Sequence, residues 1–283
     1  MKLSTLVPFL LFCFFANAQE KPAYKLYDQN GKRSDYGTLL KAAGKADVVF
    51  FGELHDNPVV HWLQLELTKD LAARKQLVLG AEMFETDNQE PLDKYLKGDI
   101  SQKGLDTLAR LWPNYKTDYK PLVDLAKEKH FKFIATNIPR RYASMVYKKG
   151  LESLQSLPDA EKAWIAPQPI AYDGSLPGYK AMLEMAGGHG GDNLPKAQAV
   201  KDATMAWFIS KNLVAGTVFI HFNGSYHSDN REGILWYLKR LNPGLKIVTI
   251  ASVEQGHVAV PSKENIGKGD FILIVDEDMA KTH

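Results

Sequence analysis

DVVFFGELHDNPVVH, residues 47–61, runs from an unbroken apolar segment straight into a helix start. Asp47–Glu53 is continuous in β-branched and aromatic residues rather than alternating, the pattern of a strand buried on both faces. Asn57 before Pro58 reads as an N-cap with proline at the first helical position. Val59, Leu63, Leu67 and Leu71 then share one face of a helix expected over Pro58–Arg74. The same strand, polar turn and helix recur along the chain. Gln76–Glu82, Phe131–Thr136, Thr217–His221, Lys246–Ala251 and Phe271–Val275 read as further strands. Helices are expected at Glu90–Lys97, Lys103–Leu111, Tyr119–Lys129, Arg140–Lys149, Lys196–Leu213 and Asn230–Leu241. Alternation of this kind predicts an α/β fold with a mostly parallel central sheet and flanking helices. Near the start, YKLYDQNGKRSDY gives a hairpin signal around Asn30-Gly31.

Residues 164–195 break the rhythm. They are rich in Pro and Gly around one short helical piece, Tyr179–Ala186, and read as a small helical insertion. No internal repeat or low-complexity tract is visible.

The 283 residues are 45% hydrophobic and 24% charged, with a net charge of +2, so bulk electrostatics give no reason to expect nucleic-acid binding. Residues 1–18 have a basic start at Lys2, an apolar stretch and the Ala16-Asn17-Ala18 cleavage pattern of a secretory signal. The apolar run is too short to span a bilayer, so no membrane span is expected after cleavage. A single α/β domain over residues 19–283 is expected to be exported, to the periplasm or the exterior. Cys13, the one cysteine, lies inside the signal. Phe12 stands where a lipoprotein signal needs a small residue, so a lipid-anchored outer-membrane form is the lesser expectation. Without Cys13 the chain has neither disulfides nor thiolate metal sites.

Ligands in parallel α/β sheets bind beyond the carboxyl ends of the strands. Four of the expected strands end in Gly52-Glu53-Leu54-His55, Glu82-Met83-Phe84-Glu85, Asn137-Ile138-Pro139-Arg140-Arg141 and His221-Phe222-Asn223-Gly224-Ser225-Tyr226-His227. Gly52-x-x-His55 and Gly224-x-x-His227 form a pair at equivalent places. Glu53, His55, Glu82, Arg140 and His227 are the catalytic candidates. Glu53, His55, Glu82, His221 and His227 are candidates for a divalent metal. Each buried carboxylate needs a partner, and Arg140 or Arg141 is the expected one. Asp56 and Asn57 suit a helix start, His61 suits packing as well as chemistry, and Ser225 does not stand in a G-x-S-x-G elbow.

VVFFGELHDNPVVH, LGAEMFE, ATNIPRR, KAQAVKDATMA and HFNGSYH together resemble the ChaN-like haem-binding uptake family of the Tiki and erythromycin-esterase superfamily. The resemblance runs from about Asp47 to His227. It implies an α/β core with its polar cluster at one edge, export, and a role in haem or iron acquisition. It also implies that the superfamily pattern falls on Glu53, His55, Glu82, Arg140 and His227. In Tiki-type relatives that pattern goes with metal-dependent proteolysis, and in erythromycin esterases with His-based hydrolysis. A secreted hydrolase is therefore the rival expectation.

Haem needs an apolar slot, an axial ligand and cations for its propionates. The insertion offers Tyr172 and Tyr179 as phenolate ligands, His189 as ligand or propionate partner, and Lys180 and Lys196 as cations. Met182, Leu183 and Ala186 share the Tyr179 face at helical spacing. No C-x-x-C-H exists for covalent attachment. The expected partner is haem or an iron complex, and an apolar insertion is also a natural surface for a homodimer.

Overall fold

A computed structural model describes residues 21–185, 187 and 191–283, so the signal segment with Cys13, together with Ala186 and His189, lies outside the described residues. Seven strands form one sheet: β1 (Tyr24–Asp28), β2 (Val48–Glu53), β3 (Leu77–Glu85), β4 (Lys132–Asn137), β5 (Val218–Gly224), β6 (Ile247–Gln255) and β7 (Phe271–Asp276). Their order is β1-β7-β6-β2-β5-β3-β4, and every pairing is parallel except that of β1 with β7. The α/β expectation holds. Strand order was not legible in the chain, because β5 inserts between β2 and β3 from far along the sequence.

The helices are α1 (Tyr36–Ala43), α2 (Pro58–Ala72), α3 (Gln89–Lys97), α4 (Gln102–Leu108), α5 (Lys120–Lys129), α6 (Arg140–Lys149), α7 (Asp159–Lys162), α8 (Pro177–Met185), α9 (Asn193–Lys211) and α10 (Ile234–Leu241). Asn57 caps α2 as expected, its Oδ1 accepting from the amides of Val59 and Val60. Its Nδ2 donates to Glu254, so the cap also ties α2 to β6. One face of the sheet packs against α1, α2 and α5 through residues such as Phe51, Leu67 and Val123. The other packs against α9 and α10 through Phe50, Met205 and Leu238.

Two expectations shift. The turn at Asn30-Gly31 is present, with Gly31 at φ +77°, but its second arm contributes a single bridge, Tyr27 to Arg33, and β1 pairs with β7 instead. The α10 helix starts at Ile234 rather than Asn230, because Asn230, Arg231 and Gly233 hold φ of +57°, +60° and +54°. Such left-handed values cannot continue a right-handed helix. The small helical insertion packs into the main fold: Ala166 and Tyr179 join the same core layer as Phe50 and Phe219.

His221 illustrates how polar groups enter this core. It is fully buried in β5, edge-on to Phe50 at 5.6 Å. Its Nδ1 lies 3.0 Å from Asn223 Oδ1 and its Nε2 2.8 Å from Thr136 Oγ1, whose hydroxyl also reaches the Ala81 carbonyl at 2.9 Å. Burial pushes its pKa down to about 4, so the ring is neutral when folded. His221 is thus a structural histidine below the strand ends and not a member of the expected metal set. An unfolded histidine titrates near 6.5, so the depressed group stabilises the fold above that pH. The contribution is lost as pH falls from about 6.5 to about 4 and amounts to roughly 3 kcal/mol. In urea melts, His221→Gln should be less stable than the parent at pH 7.5, and the gap should narrow by pH 4. Parallel stability profiles would refute this assignment.

Candidate functional site

The two G-x-x-H turns lie side by side because β2 and β5 are neighbours in register. Gly52 pairs with Asn223, and Glu53 with Gly224. The β3 strand runs along the other edge of β5 and delivers Glu82 to the same end. A cleft of about 1270 Å³ opens over these ends, with Glu53, His55, Glu82, Arg140 and His227 in its lining. Both glycines are required by close approach. A Cβ on Gly224 would stand 2.8 Å from His55 Nε2, and one on Gly52 would stand 2.9 Å from both Ile250 O and Ser225 Oγ.

His55 is the open histidine. Its Nδ1 donates to Glu53 Oε1 at 2.9 Å, its side chain is 41% exposed, and its ring lies edge-on to Trp112 at 5.0 Å. Glu53 is buried and fully engaged. Its Oε1 also accepts from the Tyr119 hydroxyl at 2.8 Å, and its Oε2 accepts from Gln64 Nε2 at 2.6 Å. Burial lowers the His55 pKa, but Glu53 and Glu82 outweigh it and the net shift is upward. A histidine anchored through one nitrogen on a carboxylate, with the other nitrogen toward a cleft, can act as a base or as a ligand.

His227 is the closed one. Its Nε2 meets Glu82 Oε1 at 3.1 Å, and its Nδ1 meets Asp202 Oδ1 at 2.5 Å. Both carboxylates and the ring are at most 5% exposed. Burial opposes the charge, yet Glu82 and Asp202 overcome it and raise the pKa to about 10. Glu82 is held well below the usual carboxylate range: His227 and the Gly224 amide, which donates to its Oε2 at 2.8 Å, outweigh the cost of burial. His227 is therefore an imidazolium donating through both nitrogens. Both of its N–H groups are committed to buried carboxylates, so its role is to hold Glu82 and Asp202 in place.

The expected arginine partners are not used. Glu53 and Glu82 find histidines, Gln64, Tyr119 and a backbone amide instead. Arg141 pairs with Asp87 at 2.6 Å and stacks over Tyr142 and Trp164. Arg140 is exposed at the cleft and makes no ion pair among the described residues. Also among those residues, no group of three or more acidic, His or Cys side chains is arranged to hold a metal ion. The metal candidates divide: His221 faces the core, Glu82 and His227 are paired with each other, and Glu53 and His55 stand together at the cleft. His61 sits behind the cleft, bonded to Gln64 Oε1 and His55 O at 3.1 Å each. Ser225 Oγ is tied to the Ser252 backbone and braces the turn.

The insertion residues separate as well. Tyr179 is 3% exposed, and its hydroxyl donates to Asp202 Oδ2 at 3.1 Å, so its oxygen is buried behind the cleft and not presented to an incoming ligand. Burial and Asp202 raise its pKa far above the ordinary tyrosine value. Tyr172 stacks on Tyr179 at 5.7 Å, is half-buried, and its hydroxyl has no hydrogen-bond partner among the described residues. Lys180 is exposed. The sequence reading missed Gln64, Tyr119, Trp112 and Lys201. Gln64 had a signal: His61, Gln64 and Thr68 form a polar stripe at i, i+3 and i+7 on a helix read only for its apolar face. Tyr119 and Trp112 had none, since they arrive from the connection before α5.

Fold and site together define an α/β protein with a histidine- and carboxylate-lined cleft at the strand ends. A family described as haem-binding uptake, Tiki superfamily, ChaN, matches residues 39–238, and the chain belongs to it. The ChaN of Campylobacter jejuni, solved with cofacial haem, is similar in fold at a TM-score of 0.66 and 20% identity, over 89% of this chain and 96% of that one. An erythromycin esterase in its open conformation aligns at 11% identity and a TM-score of 0.47, over 82% of this chain and 77% of its own. Protein RETICULATA-RELATED 5, chloroplastic, of Arabidopsis thaliana is 28% identical over 117 residues, 38% of this chain and only 16% of that protein. Among the described residues no helix is long and apolar enough to cross a membrane.

Two measurements check the site. In histidine NMR titrations, His227 should stay protonated through pH 8, and Asp202→Asn should bring its pKa down. A neutral ring at pH 8 in the parent would contradict the double ion pair. Gly224→Ala should push the His55 ring off Glu53 and move its pKa back toward 6.5, whereas Gly216→Ala, whose added Cβ meets nothing within 4 Å, should leave His55 unchanged.

Proposed function

We propose that the protein is exported and captures haem or an iron complex for uptake, with Tyr172 on the insertion as the axial ligand. Tyr172 carries the reading: it is a phenol braced by a stacked, locked neighbour, with its own hydroxyl left without a described partner. Tyr179 serves as its backing and not as a second ligand. The surroundings suit haem. The insertion exposes Met185 at 73%, leaves Met182 and Leu183 half-buried, and has Lys180 exposed for a propionate. His189 remains part of this proposal from its sequence position alone. Burial, then Asp192 and Asp173, raise the Tyr172 pKa, so iron must displace a proton that the site holds tightly. Binding of ferric haem should therefore tighten as pH rises. The haem-binding uptake family and the cofacial haem of the Campylobacter protein support the reading, and the exposed apolar insertion is the surface through which a homodimer would form. Export rests on the signal pattern of residues 1–18.

Haem titration of the mature chain tests this. The Soret band should shift with saturation, weaken at least tenfold in affinity in Tyr172→Phe, and strengthen from pH 6 to pH 9. An unchanged Soret titration in Tyr172→Phe would overturn the ligand assignment.

A second reading rests on a separate observation, the open Glu53–His55 pair beside the His227 imidazolium. In it, His55 Nε2 takes a proton from water while Glu53 holds the other ring nitrogen, as in a secreted hydrolase. A slow esterase activity lost in both His55→Ala and Glu53→Gln, with Soret binding intact, would establish it. Activity that survives both substitutions would eliminate it.

A further inference from the structure

We propose that the strand-end cleft holds a binding site for an oxyanion, the carboxylate or phosphate of a small molecule, built by Asn137, Arg140, Lys201 and the first turn of α6. Asn137 ends β4 and is only 9% exposed, yet its Oδ1 is buried with no hydrogen-bond partner. A buried amide without a partner costs about 1–3 kcal/mol, so such groups usually meet something. The Nδ2 end of the same amide has no hydrogen-bond partner among the described residues and is free to donate to an anion in the cleft.

Two residues on, α6 begins. It is ten residues long, Pro139 precedes it, and no side chain caps it. Its first amides and the positive end of its dipole are therefore available to an anion. Arg140, the first helical residue, lines the cleft beside Asn137. Two neighbouring arginines show what a committed one looks like here: Arg110 is held by Glu85 and Asp87, and Arg141 by Asp87. Arg140 has no such carboxylate among the described residues. Lys201 comes from α9, which packs against both α6 and β4, and it lines the same cleft, also without a carboxylate partner among those residues. An uncapped helix start, an orphan amide and two uncommitted cations from different elements converge on one chemistry.

The site shares the cleft with His55 but is distinct from the insertion face, so it is independent of haem capture. Where the second reading holds, it names the substrate class: a small molecule anchored by its anionic end.

The ¹⁵N-labelled mature chain, titrated at constant ionic strength with inorganic phosphate and separately with acetate up to tens of millimolar, tests the proposal. The Asn137 side-chain amide and the Arg140 backbone amide should shift with saturation. Arg140→Ala and Lys201→Ala should each weaken the apparent affinity about tenfold, Asn137→Asp should abolish it, and Lys149→Ala should leave it unchanged. Saturation by phosphate alone assigns a phosphate ester, and by acetate alone a carboxylate. The proposal is overturned if neither anion saturates, or if the shifts persist undiminished in both cation variants. Tyr172→Phe should leave these shifts intact, which separates failure here from failure of haem capture.

Discussion

Everything at the strand ends depends on the in-register pairing of β2 with β5. Glu53 opposite Gly224 brings one G-x-x-H turn against the other, and the missing Cβ of Gly224 lets His55 approach the backbone of the next strand. Parallel pairing across a long crossover is expensive in loop entropy, so its register must be fixed by what the strands bury. Here β2 and β5 are buried along their whole length, which makes a slip costly at every position. The site is precise because the core beneath it is.

The charged groups above that core follow a different logic. Glu82, His227 and Asp202 are all nearly inaccessible, and desolvating three ionisable groups costs several kcal/mol before any attraction is counted. The structure meets that cost with direct contacts on both ring nitrogens and a backbone amide on Glu82. Apolar groups of similar volume often replace such buried ion pairs at no loss of stability. Charge retained at such expense serves position: the trio ties the end of β3, the turn after β5 and the middle of α9 to one another. His55 is treated in the opposite way: it is anchored once, on Glu53, and left open to the cleft.

The layers of the fold were legible because periodicity and turn residues encode them locally. Asn57-Pro58 announced α2, and the continuous apolar runs announced interior strands. The convergence of Glu53, His55, Glu82 and His227 was also legible, since carboxyl ends of parallel strands share one side of a sheet whatever their order. Partners were not legible. Nothing local says that Glu53 binds Tyr119 from the connection before α5, or that Glu82 takes His227 rather than Arg140. Those choices depend on strand order and on where α9 crosses the sheet, which are set by nonlocal packing. His221 misled for a related reason: in a fully buried strand, alternation no longer separates the residue that faces the cleft from the one that faces the core.

Tyr179 shows how the insertion and the cleft constrain each other. Its helical spacing with Met182, Leu183 and Ala186 read as the face of a cofactor slot, but the same spacing describes a helix packing onto a core. The deciding fact is Asp202, whose second oxygen needs a donor once its first is committed to His227. Tyr179 supplies that donor, and the Tyr226 hydroxyl in the turn between His55's neighbour Gly224 and His227 reaches back to the Gly178 carbonyl. The insertion is thereby fastened to the strand ends by two hydroxyls. A phenol so committed is not open to an incoming ligand, whereas the stacked Tyr172 has no such partner among the described residues. A rigid inner tyrosine under a free outer one is a firmer platform for a flat, heavy ligand than either residue alone, since the stacked ring removes freedom that binding would otherwise have to remove.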